Sequence, residues 1–267
     1  MDINSLFNLQ GKTAVVTGGS RGIGEMITAA FLANGVKTYI TARKAPALID
    51  KARELTDKFG GECIALPCDL STNGGIHEFV SELQSKETSL DILINNAGAA
   101  WAEPLMEYSE SGWDKVMDLN VKSLFFLTQQ LTPMLAKNAS FENPSKVVNI
   151  GSIDGINTAA FESFAYSASK AAVHHLTKVL AARLIKEKIV VNAIAPGPFP
   201  SNMLGAAVAH DYSIIAANNP SQRIGTAEDV GGLAVFLCSR AGNYTVGETI
   251  TCDGGLVARA GHNLSNS

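Results

Sequence analysis

The stretch that decides the fold is Thr13-Ala14-Val15-Val16-Thr17-Gly18-Gly19-Ser20-Arg21-Gly22-Ile23-Gly24. Five strand-forming residues run into a glycine cluster, and a helical pattern begins behind it. Glycine permits the tight turn, lets a pyrophosphate approach the backbone, and allows close packing of helix on strand. A helix starting directly after such a turn presents unpaired N–H groups and the positive end of its dipole, which together hold phosphate. The stretch therefore predicts a dinucleotide site built on Gly18, Ser20, Arg21, Gly22, Ile23 and Gly24. A glycine cluster alone also serves ordinary turns, so its weight comes from its surroundings.

Working outward, Val- and Ile-rich runs recur at 37–42, 62–68, 90–95, 146–150, 189–195 and 248–252, with helix-length segments between them. With the first run at 13–17, this alternation reads as repeated βαβ units. The predicted class is α/β: a Rossmann-like, three-layer αβα fold with a seven-stranded, doubly wound parallel sheet. No internal repeat, low-complexity tract or linker interrupts the series, so residues 1–267 read as one domain. Its glycine-rich cofactor half covers 10–145, its catalytic and substrate half 146–257, and a polar tail 258–267.

The bulk composition agrees. Hydrophobic residues make up 46% of the 267-residue chain and charged residues 17%, a balance suited to a buried core. The net charge of -4 leaves no basic excess for a phosphate backbone, so no nucleic-acid partner is expected. No apolar run reaches membrane-spanning length, and the first ten residues lack a signal-peptide pattern, so the expected location is the cytoplasm. Cys63, Cys68, Cys238 and Cys252 show neither a disulfide framework nor zinc-ligand spacing, and no metal is expected.

Tyr166 and Lys170 stand four residues apart in a helical stretch, which puts them on one face a turn apart. Phenol ionises near ~10, and a neighbouring ammonium is expected to lower that value. Such a phenol can exchange a proton with a carbonyl or hydroxyl oxygen. Ser152, just after the fifth run, can donate a hydrogen bond to the same oxygen. A Y-x-x-x-K string by itself also describes a plain helix surface pair.

The glycine spacing at 18–24 is G-x-x-x-G-x-G. Asn95-Asn96-Ala97-Gly98, Tyr166-Ser167-Ala168-Ser169-Lys170, Pro196-Gly197 and Asp253-Gly254-Gly255 follow in order at strand ends. Over nearly its whole length the chain resembles the short-chain dehydrogenase/reductase family. That resemblance implies Asn120, Ser152, Tyr166 and Lys170 as the catalytic set, with Asn120 positioning a water that links Lys170 to solvent. It also implies coenzyme contacts from Asp69 and Leu70 to adenine, from Asn96, Ala97 and Gly98 to ribose, from Tyr166 and Lys170, and from Pro196 and Gly197. Ser201 stands where the family often has a threonine touching the nicotinamide amide. The family's usual homotetramer is expected as well.

The coenzyme's identity depends on the end of the second run. An NAD enzyme commonly carries an acid there, whereas this chain has Ala42 followed by Arg43. A carboxylate would repel a 2′-phosphate, and a guanidinium grips it in a fork. Arg43 and Arg21 thus predict NADPH/NADP+, although both could be solvated surface charges. Around the reacting carbonyl, Trp101, Ile153, Asp154, Phe199, Met203 and Leu204 are the expected substrate contacts, and residues 198–218 the expected lid. Trp101 could equally be packed. His174 and His175 are neighbours and point apart, so they read as packing residues and not as a chelating pair.

Several motifs look like the 3-oxoacyl reductase branch of the family, which implies a small-molecule ketone of the β-keto acyl or β-ketoester type. A broad carbonyl reductase of bulky ketones fits the same residues. A non-catalytic NADPH sensor would not need Ser152, Tyr166 and Lys170. An acyl-carrier-protein partner would need a basic docking patch; Arg21 and Lys122 are the candidates, and the acidic net charge works against it.

Overall fold

The computed structural model describes residues 2–159, 161–201, 204–205 and 211–259. Seven strands form one parallel sheet: β1 (Thr13–Thr17), β2 (Lys37–Thr41), β3 (Cys63–Ala65), β4 (Ile92–Asn95), β5 (Ser145–Ile150), β6 (Ile189–Pro196) and β7 (Thr249–Cys252). Their order is β3-β2-β1-β4-β5-β6-β7. The chain winds outward one way from β1, then returns and winds the other way from β4. The two halves separate at the β1/β4 junction, where ligands of doubly wound sheets bind beyond the carboxyl ends of the strands. The expected fold is the one observed.

Strands covered by helices on both faces should read as continuous apolar runs, and β4 and β6 are buried along their whole length. Helices Gly22–Ala33 and Ala227–Cys238 pack against each other on one face. Their cluster includes Ile27, Phe31, Val230, Ala234 and Leu237, together with Val16, Ile94 and Ile194 from the sheet. The opposite face joins Val15, Leu93, Val147 and Val191 to Phe79, Leu83, Leu127 and Leu131.

Two strands are shorter than expected. Beyond Ala65 the chain stays paired to β2, with Leu66 N–H on the Ile40 carbonyl at 2.9 Å and Cys68 N–H on the Ala42 carbonyl at 3.1 Å. Pro67 between them has no N–H to give to a ladder. Leu90, expected in β4, instead donates its N–H to the Met134 carbonyl at 3.1 Å, which ties it to the Ser123–Ala136 helix.

Candidate active site

Asn96 and Thr17 close the junction between the two halves of the sheet. The Thr17 hydroxyl accepts the N–H groups of Asn96 at 2.9 Å and Ala97 at 2.8 Å. The Asn96 amide donates to the Thr17 carbonyl at 2.8 Å and to the Gly18 carbonyl at 3.3 Å. The glycine turn and the Asn-Ala-Gly segment are thus one unit, in which Thr17 is a member that motif reading passes over.

The turn needs its glycines. Gly18 and Gly22 have φ of 64° and 56°, in the left-handed region that disfavours side chains. A Cβ on Gly18 would lie 3.0 Å from the Asn96 amide, and one on Gly22 would lie 3.3 Å from Ser201 Cβ. Ser201 therefore sits against the turn from across the cleft. Helix Gly22–Ala33 starts at Arg21 with no side-chain cap, so its first N–H groups face the turn unpaired. Ser20 and Ile23 are half-buried, and Ile23 packs on the core.

Arg21 and Arg43 are exposed at the same edge, and among the described residues neither forms an ion pair within 4.0 Å. Nearby, the Asp69 carboxylate accepts the Ser71 hydroxyl at 2.7 Å and the Ser71 N–H at 3.0 Å. The Ser71 hydrogen bond first, and the Arg43 charge among the weaker influences, hold Asp69 below its ordinary value. The Leu70 side chain is buried in the core, which leaves only its backbone toward the cleft.

Across the cleft, Ser152 follows β5 and opens a single turn over Ile153–Gly155. Its hydroxyl accepts the Asp154 N–H at 3.1 Å, leaving its own proton free to donate. Tyr166 and Lys170 lie on helix Phe164–Leu184, with the Lys170 ammonium 5.4 Å from the centre of the Tyr166 ring. Lys170 is buried and donates to the Ile150 carbonyl at 2.8 Å. Ser152, Tyr166 and Lys170 are therefore brought together at the carboxyl end of β5.

The electrostatics run against one expectation. Burial pushes Tyr166 up to about 12, against a hydrogen bond with the Ser152 side chain and with a further push from the Asp154 charge. Burial also pushes Lys170 down to about 8. Low polarity disfavours both charged forms, and here it outweighs the attraction of ammonium for phenolate. The neutral phenol is the resting form.

Asn120 lies in a widened π-turn at Asp118–Lys122, a local feature common at functional sites. Its side-chain oxygen accepts the Ala99 N–H at 2.8 Å. Its amide donates to the Ala99 carbonyl at 3.0 Å and to the Ser169 hydroxyl at 2.9 Å. Ser169 in turn donates to the Tyr166 carbonyl at 2.7 Å. Asn120 thereby joins the loop carrying Ala97 and Gly98 to the helix carrying Tyr166.

Among the expected substrate contacts, Ile153 and Asp154 are half-buried beside Ser152, and burial pushes the Asp154 carboxyl up. Trp101 is half-buried against Gly112, with the Lys115 ammonium 4.4 Å from its ring centre, so it is at least partly a packing residue. Phe199 requires a correction. Only 3% of it is exposed, and its ring occupies the space that the missing Cβ of Gly225 leaves open, so it belongs to the core and not to a substrate wall. Leu204 is half-buried and donates its N–H to the Ser201 hydroxyl at 3.1 Å. Met203 lies outside the described residues, as does part of the expected lid. Pro196 ends β6, and Gly197 binds the Cys252 carbonyl at 2.9 Å, where a Cβ would press on the Asp253 backbone at 2.8 Å.

A glycine-turned phosphate cradle facing a Ser-Tyr-Lys group across a doubly wound sheet defines a class, and the chain belongs to the short-chain dehydrogenase/reductase family. It is an oxidoreductase that interconverts an alcohol and a carbonyl. The family model described as enoyl-(acyl carrier protein) reductase matches residues 18–257. The rhamnolipids biosynthesis 3-oxoacyl-[acyl-carrier-protein] reductase of Pseudomonas aeruginosa is 45% identical, over 94% of this chain and 98% of that protein. The solved Pseudomonas aeruginosa RhlG/NADP active-site complex superposes with a TM-score of 0.90 at 44% identity, covering 95% of this chain and 99% of that one. A 2-dehydro-3-deoxy-D-gluconate 5-dehydrogenase of Dickeya dadantii is 35% identical, over 96% of this chain and 100% of its own.

Proposed function

We propose that this chain uses NADPH to reduce a ketone of the β-keto acyl or β-ketoester type to the secondary alcohol. The observation that carries the reading is the convergence of Ser152, Tyr166 and Lys170 opposite the glycine turn, with Tyr166 held as the neutral acid. The coenzyme fit is supported by the uncapped helix start, by the space a Cβ would fill at Gly18 and Gly22, and by Arg21 and Arg43, which are exposed and form no ion pair among the described residues. Gly18 to Gly24, Asn96 to Gly98, Lys170, Gly197 and Ser201 would hold it, with the Asp69-Leu70 backbone at the adenine end. When bound, NADPH supplies the hydride.

The protein's own part is positional and acid-base. Ser152 donates a hydrogen bond to the substrate oxygen, and the Tyr166 hydroxyl gives that oxygen its proton. Lys170 and Asn120 resupply Tyr166. Because the Asn120 side chain is engaged with Ala99 and Ser169, its water contact belongs to its backbone carbonyl. The same relatives support an acyl-carrier-protein-borne substrate. Trp113 and Val179, exposed on two helices that pack together, support a homotetramer.

The test is NADPH oxidation with 3-oxoacyl thioesters, β-ketoesters and aryl ketones in parallel. Turnover is expected on the first two, and Tyr166→Phe should lose about 10²- to 10⁴-fold in kcat with NADPH binding kept. Oxidation of sugar acids alone, or full activity in the phenylalanine variant, would overturn the reading.

A further inference from the structure

The turn that carries Ser152 is seated on the catalytic helix at two glycines. A Cβ on Gly155 would lie 2.6 Å from the Lys170 carbonyl carbon, 2.7 Å from the Ala171 nitrogen and 2.9 Å from the His174 ring. A Cβ on Gly151 would collide with His174 Nε2 outright. The His174 imidazole thus occupies the notch left by two missing side chains, directly beneath Ser152. The Ser152 N–H points at His174 Nε2, at 3.4 Å. His174 stands one helical turn beyond Lys170, as Lys170 stands one turn beyond Tyr166, so one face of the helix carries all three.

We propose that His174 is a positioning residue for Ser152: its Nε2 accepts the Ser152 backbone N–H and fixes where the serine hydroxyl meets the substrate oxygen. The Ser152 carbonyl accepts the Gly155 N–H at 3.0 Å, which closes the turn on itself, whereas the His174 contact ties the turn to the catalytic helix. Its hydroxyl takes the Asp154 N–H and must keep its own proton for the substrate. The acceptor role requires an unprotonated Nε2, with the ring proton on Nδ1. Burial, reinforced by the charges of Lys170 and Lys178 against a hydrogen bond to the Gly155 backbone, holds His174 below its ordinary value and keeps the ring neutral. A displaced hydrogen-bond donor loses more against a developing charge than against a neutral ketone, so the effect falls on kcat.

The inference rests on the assignment of Ser152 above, and its tests fail separately from that assignment. Glutamine reaches as far as Nε2 and offers an oxygen; methionine has the same length and no strong acceptor. His174→Met should lose about tenfold to a hundredfold in kcat, with the NADPH dissociation constant unchanged, and His174→Gln should recover most of it. Wild-type kcat in the methionine variant, or equal losses in both, would overturn the proposal. A second reading needs no variant. The ¹⁵N shifts of the histidines in the native protein should show His174 as the Nδ1–H tautomer at neutral pH, and an Nε2–H tautomer rules the acceptor role out whether or not the methionine variant folds. Failure of the ketone-reduction reading would show elsewhere, as absence of NADPH oxidation by the wild type.

Discussion

Tyr166 is ready to give a proton, and Lys170 is the group whose charge is at stake. With the phenol pushed up to about 12 and the ammonium down to about 8, the first group to change as pH rises is the lysine. A profile of kcat/KM reports the free enzyme. For ketone reduction it should fall through about pH 8 as Lys170 loses its proton, and a profile flat to pH 10 would contradict the assignment. At the other end of the cleft, Arg43 should be read by charge reversal. A charge-assisted hydrogen bond contributes roughly 1.5–3 kcal/mol, so Arg43→Glu should raise KM for NADPH by about tenfold to a hundredfold. KM for NADH should hardly change, and parallel losses for both coenzymes would mean a structural role. His174 was legible at this scale as a packing residue but not in what it packs on, and the burial of Phe199 was not legible. The packing of His174 is decided by glycines 23 and 19 positions away, and that of Phe199 by Gly225; an isolated apolar or histidine residue carries no sign of either partner.

Between elements, the key join is β1 to β4, and one hydroxyl makes much of it. Thr17→Val keeps the shape and removes the acceptor for two N–H groups. The Asn96 N–H keeps the Ile94 carbonyl at 3.1 Å, so the cost of an unsatisfied group, about 1–3 kcal/mol, falls on Ala97. The variant should melt several degrees lower and bind NADPH more weakly, by calorimetry and fluorescence respectively. Unchanged coenzyme affinity would show that the staple is not part of the cradle. The strands were the most legible feature, because burial on both faces forces continuous Val and Ile runs that periodicity detects. Their ends were less so. At β3 the backbone pairing outlasts the regular strand because Pro67 interrupts it, and at β4 Leu90 is claimed by a helix. The Ser-Tyr-Lys group was legible because its spacing is local, while the Asn120 clamp on Ala99 and Ser169 depends on segments 21 and 49 residues apart.

For the molecule as a whole, stability carries a pH signature from the far end of the sheet. Lys146 enters β5 almost fully buried, bound to Asn243 at 2.8 Å, and burial pushes it down to about 8 from an ordinary 10.5. Between those values the unfolded chain holds the proton and the folded chain does not, so stability rises with pH across that window. Below about 8 the penalty is present in full, at most on the order of 3 kcal/mol. Lys146→Met should therefore raise the melting temperature at pH 7, with the gain shrinking toward pH 10. A gain independent of pH would point to packing instead. Lys170 has the same sign but is common to both proteins, so the difference isolates Lys146. No helix among the described residues is long and apolar enough to cross a membrane.

The notch beneath Ser152 also constrains how this protein can change by mutation. Gly151 can accept a larger residue only after His174 has become smaller, and a smaller residue 174 gives up the Ser152 contact; Gly155 faces the Lys170–Ala171 backbone and stays closed either way. Positions 151 and 174 form an epistatic lock, in which the order of substitutions decides which paths are open. A library randomised at 151 and 155 in the parent should return glycine at both. The same library built on His174→Ala should accept alanine and serine at 151 while keeping glycine at 155, and so reach loop shapes, and ketones, that single steps from the parent cannot.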